Sequence, residues 1–284
     1  MKKIIAFFIM IFCNFSHATQ TIPIIWAFSP ASNQANALRV IIDNANRAQS
    51  KYNFIFENKP GAGGSIAVNH VINSPTPILL MMSTSIFVRP FYYPDQSYDI
   101  NKLQPVVITA NDSPLAVLST QFSSVDQLVN KPYVKVGIVQ GSITESVARV
   151  IQKNSMILVP YQSSINATND LLGGHIDASV EFIKDSIPWV ESGKAKIIGI
   201  TGINQINEYK TIKNTENIIS NYYVVTNKTM NDLQIRELHD IITKAMIQQN
   251  VIDIWKGDYA VVVNRSLKDT VQFWETQRKY WEIK

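Results

Sequence analysis

Between residues 22 and 200, short apolar segments alternate with segments of helical periodicity, and that order constrains the chain more than any other feature. Strands are expected over 22–28, 53–56, 78–82, 134–139, 156–160, 176–180 and 195–200. Helices are expected over 35–48, through Leu38, Ile41 and Ile42, and over 65–72, 143–152 and 165–172, the last stopped by Gly173-Gly174. Such an order predicts parallel sheets covered by helices, an α/β fold. The last part reads as helical. Leu238, Ile241, Ile242 and Ala245 share one face, and Leu267, Val271, Trp274 and Trp281 share another, with Ser266 and Asp269 at capping-box spacing. Two βα sets of about a hundred residues each, followed by a helical tail, predict two lobes.

The N-terminus reads as a secretory signal. Lys2 and Lys3 precede an apolar stretch over 4–12, and Ser16-His17-Ala18 offers the small residues that signal peptidase reads, so cleavage is expected after Ala18. The stretch falls well short of the roughly twenty residues that a permanent span needs. Cys13, the only cysteine, leaves with the segment, so no thiol or disulfide chemistry is expected of the mature chain. Of the 26 basic residues, Lys2 and Lys3 leave too; against 22 acidic ones the mature charge is about +2. That balance makes no case for nucleic acid or for an anionic membrane as a partner. A periplasmic, soluble monomer is expected.

Motifs that would signal an enzyme fail on inspection. Gly61-Ala62-Gly63-Gly64-Ser65 is followed by Ile66, where a phosphate-binding loop needs a Lys-Ser/Thr pair and a dinucleotide fingerprint needs a further glycine. The glycines read instead as a strand-to-helix turn that uses positive φ. His70, His175 and His239 have no second ligand at metal spacing. Gly141-Ser142-Ile143 lacks the closing glycine of a nucleophile elbow. No enzyme activity, cofactor or metal is expected.

A small anion fits better. In open α/β sheets ligands bind beyond the strand ends, where helix N-termini present free N–H groups. Three such ends here are rich in hydroxyl and amide groups: Ser29, Ala31, Ser32 and Asn33; then Ser83, Thr84 and Ser85; then Gln140, Gly141, Ser142 and Thr144. Glu181, just past the 176–180 strand, completes the candidate set. Ser32 and Ser142 read equally well as N-caps, and Glu145, at capping-box spacing from Ser142, would weaken anion binding. These loops hold no basic residue before Arg39, Arg89 and Arg149, so a carboxylate is expected to be held by N–H groups, hydroxyls and water.

The run Glu57-Asn58-Lys59-Pro60-Gly61-Ala62-Gly63-Gly64-Ser65-Ile66-Ala67 resembles a signature of the tripartite tricarboxylate transporter receptors, the Bug family, close to E-N-R-P-G-A-G-G-N-I-A. Val159-Pro160-Tyr161 with Asp170-Leu171-Leu172-Gly173-Gly174-His175-Ile176-Asp177 is similar to its V-P-Y-K-G…D-L-L-G-G-Q-V-D segment. Ser192-Gly193-Lys194 with residues 197–201, and Tyr98-Asp99 with Leu103-Gln104-Pro105-Val106, resemble two more of its segments. The resemblance implies a type II periplasmic-binding-protein fold: two α/β lobes joined by a hinge, a ligand cleft between them, and C-terminal helices packed back on the first lobe. It also implies a small carboxylated ligand and membrane permease subunits as partners. On this reading residues 1–18 are the signal peptide, 19–118 and 225–284 form lobe 1, and 119–224 form lobe 2.

The chain departs from the family after the first strand. Phe28, Pro30, Ala31, Ser32, Ala35 and Arg39 stand where the family has F-x-P-G-G-x-x-D…R, and Gln162-Ser163 stand in place of Lys-Gly. An unusual ligand is therefore expected. A periplasmic sensor for a membrane signalling partner fits the same residues. A secreted α/β hydrolase would need a nucleophile, a base and an oxyanion hole, and no such set is found.

Overall fold

The computed structural model describes residues 19–153, 155–202, 206 and 208–283. The signal segment expected over 1–18, and its cleavage point, lie outside the described residues. Along the chain run β1 (Gln20–Trp26), α1 (Asn33–Ala48), β2 (Tyr52–Asn58), α2 (Ser65–Ile72), β3 (Leu79–Ser83), α3 (Ser85–Tyr92) and β4 (Leu103–Ser113). They are followed by β5 (Leu115–Ser119), α4 (Val125–Asn130), β6 (Lys135–Val139), α5 (Ile143–Ile151), β7 (Ile157–Tyr161), α6 (Ser164–Leu172), β8 (Ala178–Phe182), α7 (Ile183–Glu191) and β9 (Lys196–Ile200). Then come β10 (Ser220–Asn227), α8 (Asp232–Met246), α9 (Gln249–Gly257) and α10 (Leu267–Ile283).

Two five-stranded sheets result, ordered β2-β1-β3-β10-β4 and β7-β6-β8-β5-β9. In each, the strands that alternate with helices pair in parallel, and β10 or β5 joins them antiparallel. This is the mixed α/β, two-lobed periplasmic-binding-protein fold. The first sheet is covered on both faces. Ala35, Leu38, Ile41, Ile42 and Ala45 put the apolar stripe of α1 against one face, while Ala67, Val68 and Val71 of α2 cover the other. Coverage on both sides explains why β3 and β10 are buried along their whole length and show no alternation.

The chain leaves the first sheet at Pro114, between β4 and β5, and returns through residues 201–219 into β10. The lobe boundaries expected at 118/119 and 224/225 thus fall inside β5 and β10, because each crossing strand lies wholly in one sheet. At the crossing the Leu115 N–H donates to Thr201 Oγ1 (2.9 Å), and the Thr201 N–H donates to the Leu115 carbonyl (2.8 Å). The C-terminal helices pack on the first lobe. Leu238, Ile242 and Ala245 of α8 join the core around α1, and Trp274 of α10 stacks on Phe87 and Tyr223 at 4.7 and 5.5 Å. Val271, expected on the same inward face as Trp274, is 41% exposed.

Candidate functional site

A cleft of about 600 Å³, counting its open mouth, lies between the lobes at the strand ends. That is the size range of small-molecule sites. Lobe 1 contributes the ends of β1 and β3, and Tyr222, whose pairing with Ser83 sets it at the same edge. Lobe 2 contributes the turns after β6, β7 and β8.

Six of the twelve residues expected at the site line the cleft: Ser29, Ser32, Ser83, Ser85, Ser142 and Thr144. Ser32 caps α1 through the Ala35 N–H (3.2 Å), and its own hydroxyl donates to the Ser29 carbonyl (2.9 Å). Ser85 lies at the centre of a chain that crosses the cleft. Its oxygen accepts from the Ser83 hydroxyl (2.9 Å) and, from the other lobe, from the Ile143 N–H (3.0 Å). Ser142 Oγ and Thr144 Oγ1 lie 2.8 Å apart; the first accepts from the Thr144 N–H and the second from the Val139 N–H. The N–H groups of Gly141, Ile143, Thr144 and Glu145 at the start of α5 therefore all have internal partners. Of the N–H groups and hydroxyls expected from the sequence to hold a carboxylate here, these N–H groups are already engaged, and the Ser142 and Thr144 hydroxyls line the cleft.

The other six sit elsewhere. Ala31 is exposed at the turn. Asn33 donates to Asp258 (2.9 Å) and to the Ile254 carbonyl (3.1 Å), holding α9. Thr84 is tied to the second crossing, accepting from the Asn221 N–H at 2.8 Å. Gln140 is exposed, and Gly141 donates to Glu145 at 2.6 Å. Glu181 is buried inside lobe 2 and accepts from Thr168. Successive strand residues face opposite sides, so Phe182, one position on, reaches the cleft instead.

Sequence reasoning missed Trp26, Phe28, Gln34, Gln162, Ser163, Ser164, Phe182, Asp185 and Tyr222 among the lining residues. For Phe28, Gln162 and Ser163 a signal existed, since they stand in the segments compared with the family. Tyr222 had none without the register of β10. Among the described residues that line the cleft none is basic. Arg39 donates to the Pro30 carbonyl (2.9 Å) and lies 4.2 Å over the Phe56 ring. Arg149 pairs with Glu145 at 2.6 Å, and that carboxylate also accepts from Tyr93 (2.7 Å). The charge expected to repel an anion is thus matched, and Glu145 is not among the described residues that line the cleft.

Three carboxyls near the cleft hold protons more tightly than usual. Burial raises Asp185 to about 6, with Lys184 opposing. Burial raises Asp258 to about 7, against the amide donors of Asn33 and Gln34 and with the charge of Asp185 adding to it. Burial raises Glu181 to about 8, against the Thr168 hydroxyl.

MatC from Rhodopseudomonas palustris with bound malate superposes with a TM-score of 0.80 at 17% identity, over 93% of this chain and 98% of that one. The R. palustris protein Rpa4515 with adipate gives the same TM-score, 0.80, and identity, 17%, over 93% and 96% of the two chains. At such identity the likeness establishes the fold alone. The "UPF0065 protein in tcbD-tcbE intergenic region" of Pseudomonas sp. (strain P51) is 24% identical over 208 residues, which is 67% of this chain and 62% of that relative. The match therefore spans less than two thirds of the relative's own length. Residues 37–283 match the description "Tripartite tricarboxylate transporter family receptor", and the chain belongs to that family.

Proposed function

We propose that the chain is a periplasmic solute receptor, which captures a small carboxylated molecule between its lobes and presents it to membrane permease subunits of a tripartite transporter. The observation that carries this reading is the hydroxyl chain at the cleft. Ser85 accepts two hydrogen bonds, one from each lobe, which leaves its own proton for a ligand oxygen. Ser142 and Thr144 use one proton between them and keep one to donate. An oxygen held by these groups bridges the lobes, so the ligand favours the closed arrangement by its additional contacts. The malate and adipate bound to MatC and Rpa4515 support a carboxylated ligand. The signal-like N-terminus supports export, and among the described residues no helix is long and apolar enough to cross a membrane.

A thermal-shift screen of carboxylates and amino acids tests the reading. A ligand at 100 times its dissociation constant stabilises the protein by about 2.7 kcal/mol. Titration calorimetry with the strongest hit then separates the holding groups. Ser85→Ala is expected to weaken binding about ten- to a hundred-fold, the value of one hydrogen bond to a charged acceptor. Arg39→Ala is expected to change it less than about twofold, since its guanidinium serves Pro30 and Phe56. The reverse ranking would replace the hydroxyl-based grip with a guanidinium clamp.

A further inference from the structure

Among the described residues that line the cleft, Asp185 carries the sole formal charge, and it is negative. It forms no salt bridge with any described residue. Phe182, one turn before it, lines the cleft beside Tyr222, their rings 6.2 Å apart. Trp26 and Phe28, stacked edge to face at 5.6 Å, line it from β1. The Tyr222 hydroxyl is fully buried, with Ser113 and Ser220 as its near polar neighbours, so it is the ring that Tyr222 offers to the cleft.

We propose that the solute carries a protonated nitrogen as well as a carboxylate, and that the nitrogen seats against Asp185 among these aromatic rings. The inference rests on the receptor reading above and specifies its substrate class: an amino acid or another amino-carboxylate. A second carboxylate placed at this end would meet Asp185 without an intervening cation, a repulsion strengthened by the low dielectric of a closed cleft. A protonated amine gains instead from the carboxylate and from the negative faces of the rings. Glu181 on β8 and Asp258 after α9 are close enough to be affected by the charge of Asp185, but burial leaves Glu181 protonated at neutral pH, and Lys184 on the same helix is the nearby cation that lowers the Asp185 pKa. Burial holds the Asp185 pKa near 6, so the group is ionised at neutral pH and able to act as counter-ion. The hydroxyl chain at Ser85, Ser142 and Thr144 belongs to the turns after β3 and β6. Asp185 follows β8, the next strand of the sheet, so a short molecule with opposite charges at its two ends matches the charge pattern of the cleft.

Calorimetry on the mature protein with length-matched probes tests this: succinate, glutarate and adipate against 4-aminobutyrate, 5-aminopentanoate and 6-aminohexanoate, with glutamate and leucine added as α-amino acids. The expected result is at least tenfold tighter binding of an amine-bearing probe than of any dicarboxylate. Asp185→Asn should weaken that probe at least tenfold and remove the preference. Dicarboxylates that bind as tightly as the amines, or a preference that survives in Asp185→Asn, would overturn the inference and leave the receptor reading standing. Absence of binding by every probe would remove the receptor reading, and this inference with it.

Discussion

Glu145 and Glu181 are both buried, and their surroundings differ in kind. Glu145 receives Arg149, the Tyr93 hydroxyl and the Gly141 N–H. Glu181 receives the Thr168 hydroxyl, with Ser179 nearby, and no cation, so burial raises its pKa to about 8. Its folded pKa thus lies above its ordinary value of 4.5. The folded state keeps the proton where the unfolded chain has lost it, so the contribution to stability is full below about pH 4.5 and is lost as pH rises through about 8. Glu181→Gln keeps the acceptor for Thr168 and removes the titration. Urea denaturation should find it level with the wild type at pH 4 and more stable at pH 8 by at least about 1.4 kcal/mol, the worth of one pKa unit. Asp258 and Asp185 shift in the same direction, so some slope remains in the variant. Wild-type and variant stability curves that run parallel from pH 4 to 8 would refute this account. The sequence placed Glu181 near the right strand end, yet on the wrong face. One residue of strand parity decides between the cleft and the core, and composition carries no parity.

At the scale of elements, the βα units were legible because each shows its own period. β1, α1, α2, β6 and α5 fall within about three residues of expectation, an ordinary boundary error. β4, β5 and β10 were not read at all. They are crossing strands buried on both faces, interrupted by Pro105 and Pro114 or flanked by irregular chain, and nothing local distinguishes them from loop. α7 was hidden by Pro188 in its interior. The glycine turn, expected to serve backbone geometry, does so: Gly61, Gly63 and Gly64 have φ of 125°, 61° and 95°. Gly63 does something further that sequence could not show. A Cβ there would lie 2.3 Å from the Gln140 carbonyl oxygen of the opposite lobe. Gly63→Ala should therefore lose about 1–2 kcal/mol of stability to left-handed backbone strain and, separately, more than about tenfold in ligand affinity. Gly174→Ala is the control: its φ is 75° with nothing within 4 Å of a new Cβ, so it should show the stability loss without the affinity loss. Equal affinity losses in the two variants would show that Gly63 has no part in closure.

For the whole molecule, the two lobes and the cleft were legible from the order of βα units and from the family resemblance, whereas the contacts that hold the lobes together were not. They join positions far apart in the chain. Ile143 donates to Ser85, Tyr93 donates to Glu145, and Arg149 lies 4.6 Å over the Tyr92 ring. These contacts bring α3 and its end against α5, while the crossings at Pro114 and through 201–219 carry the chain between the lobes. On the receptor reading proposed above, the protein exchanges between open and closed forms, and ligand adds to what the lobes already gain by touching. Small-angle scattering should then show a smaller radius of gyration at ligand saturation than without ligand. Tyr93→Phe removes one contact between the lobes and leaves Glu145 its bonds to Arg149 and Gly141, so the fold should keep its stability. The free variant should populate the open form more, with a larger radius than the free wild type, and the saturated radii should coincide. Its affinity should fall roughly fivefold, as one hydrogen bond worth about 1 kcal/mol is no longer available to closure. Identical radii for free and saturated wild type would mean that the lobes do not move on binding, and that the Tyr93–Glu145 bond serves the fold rather than the hinge.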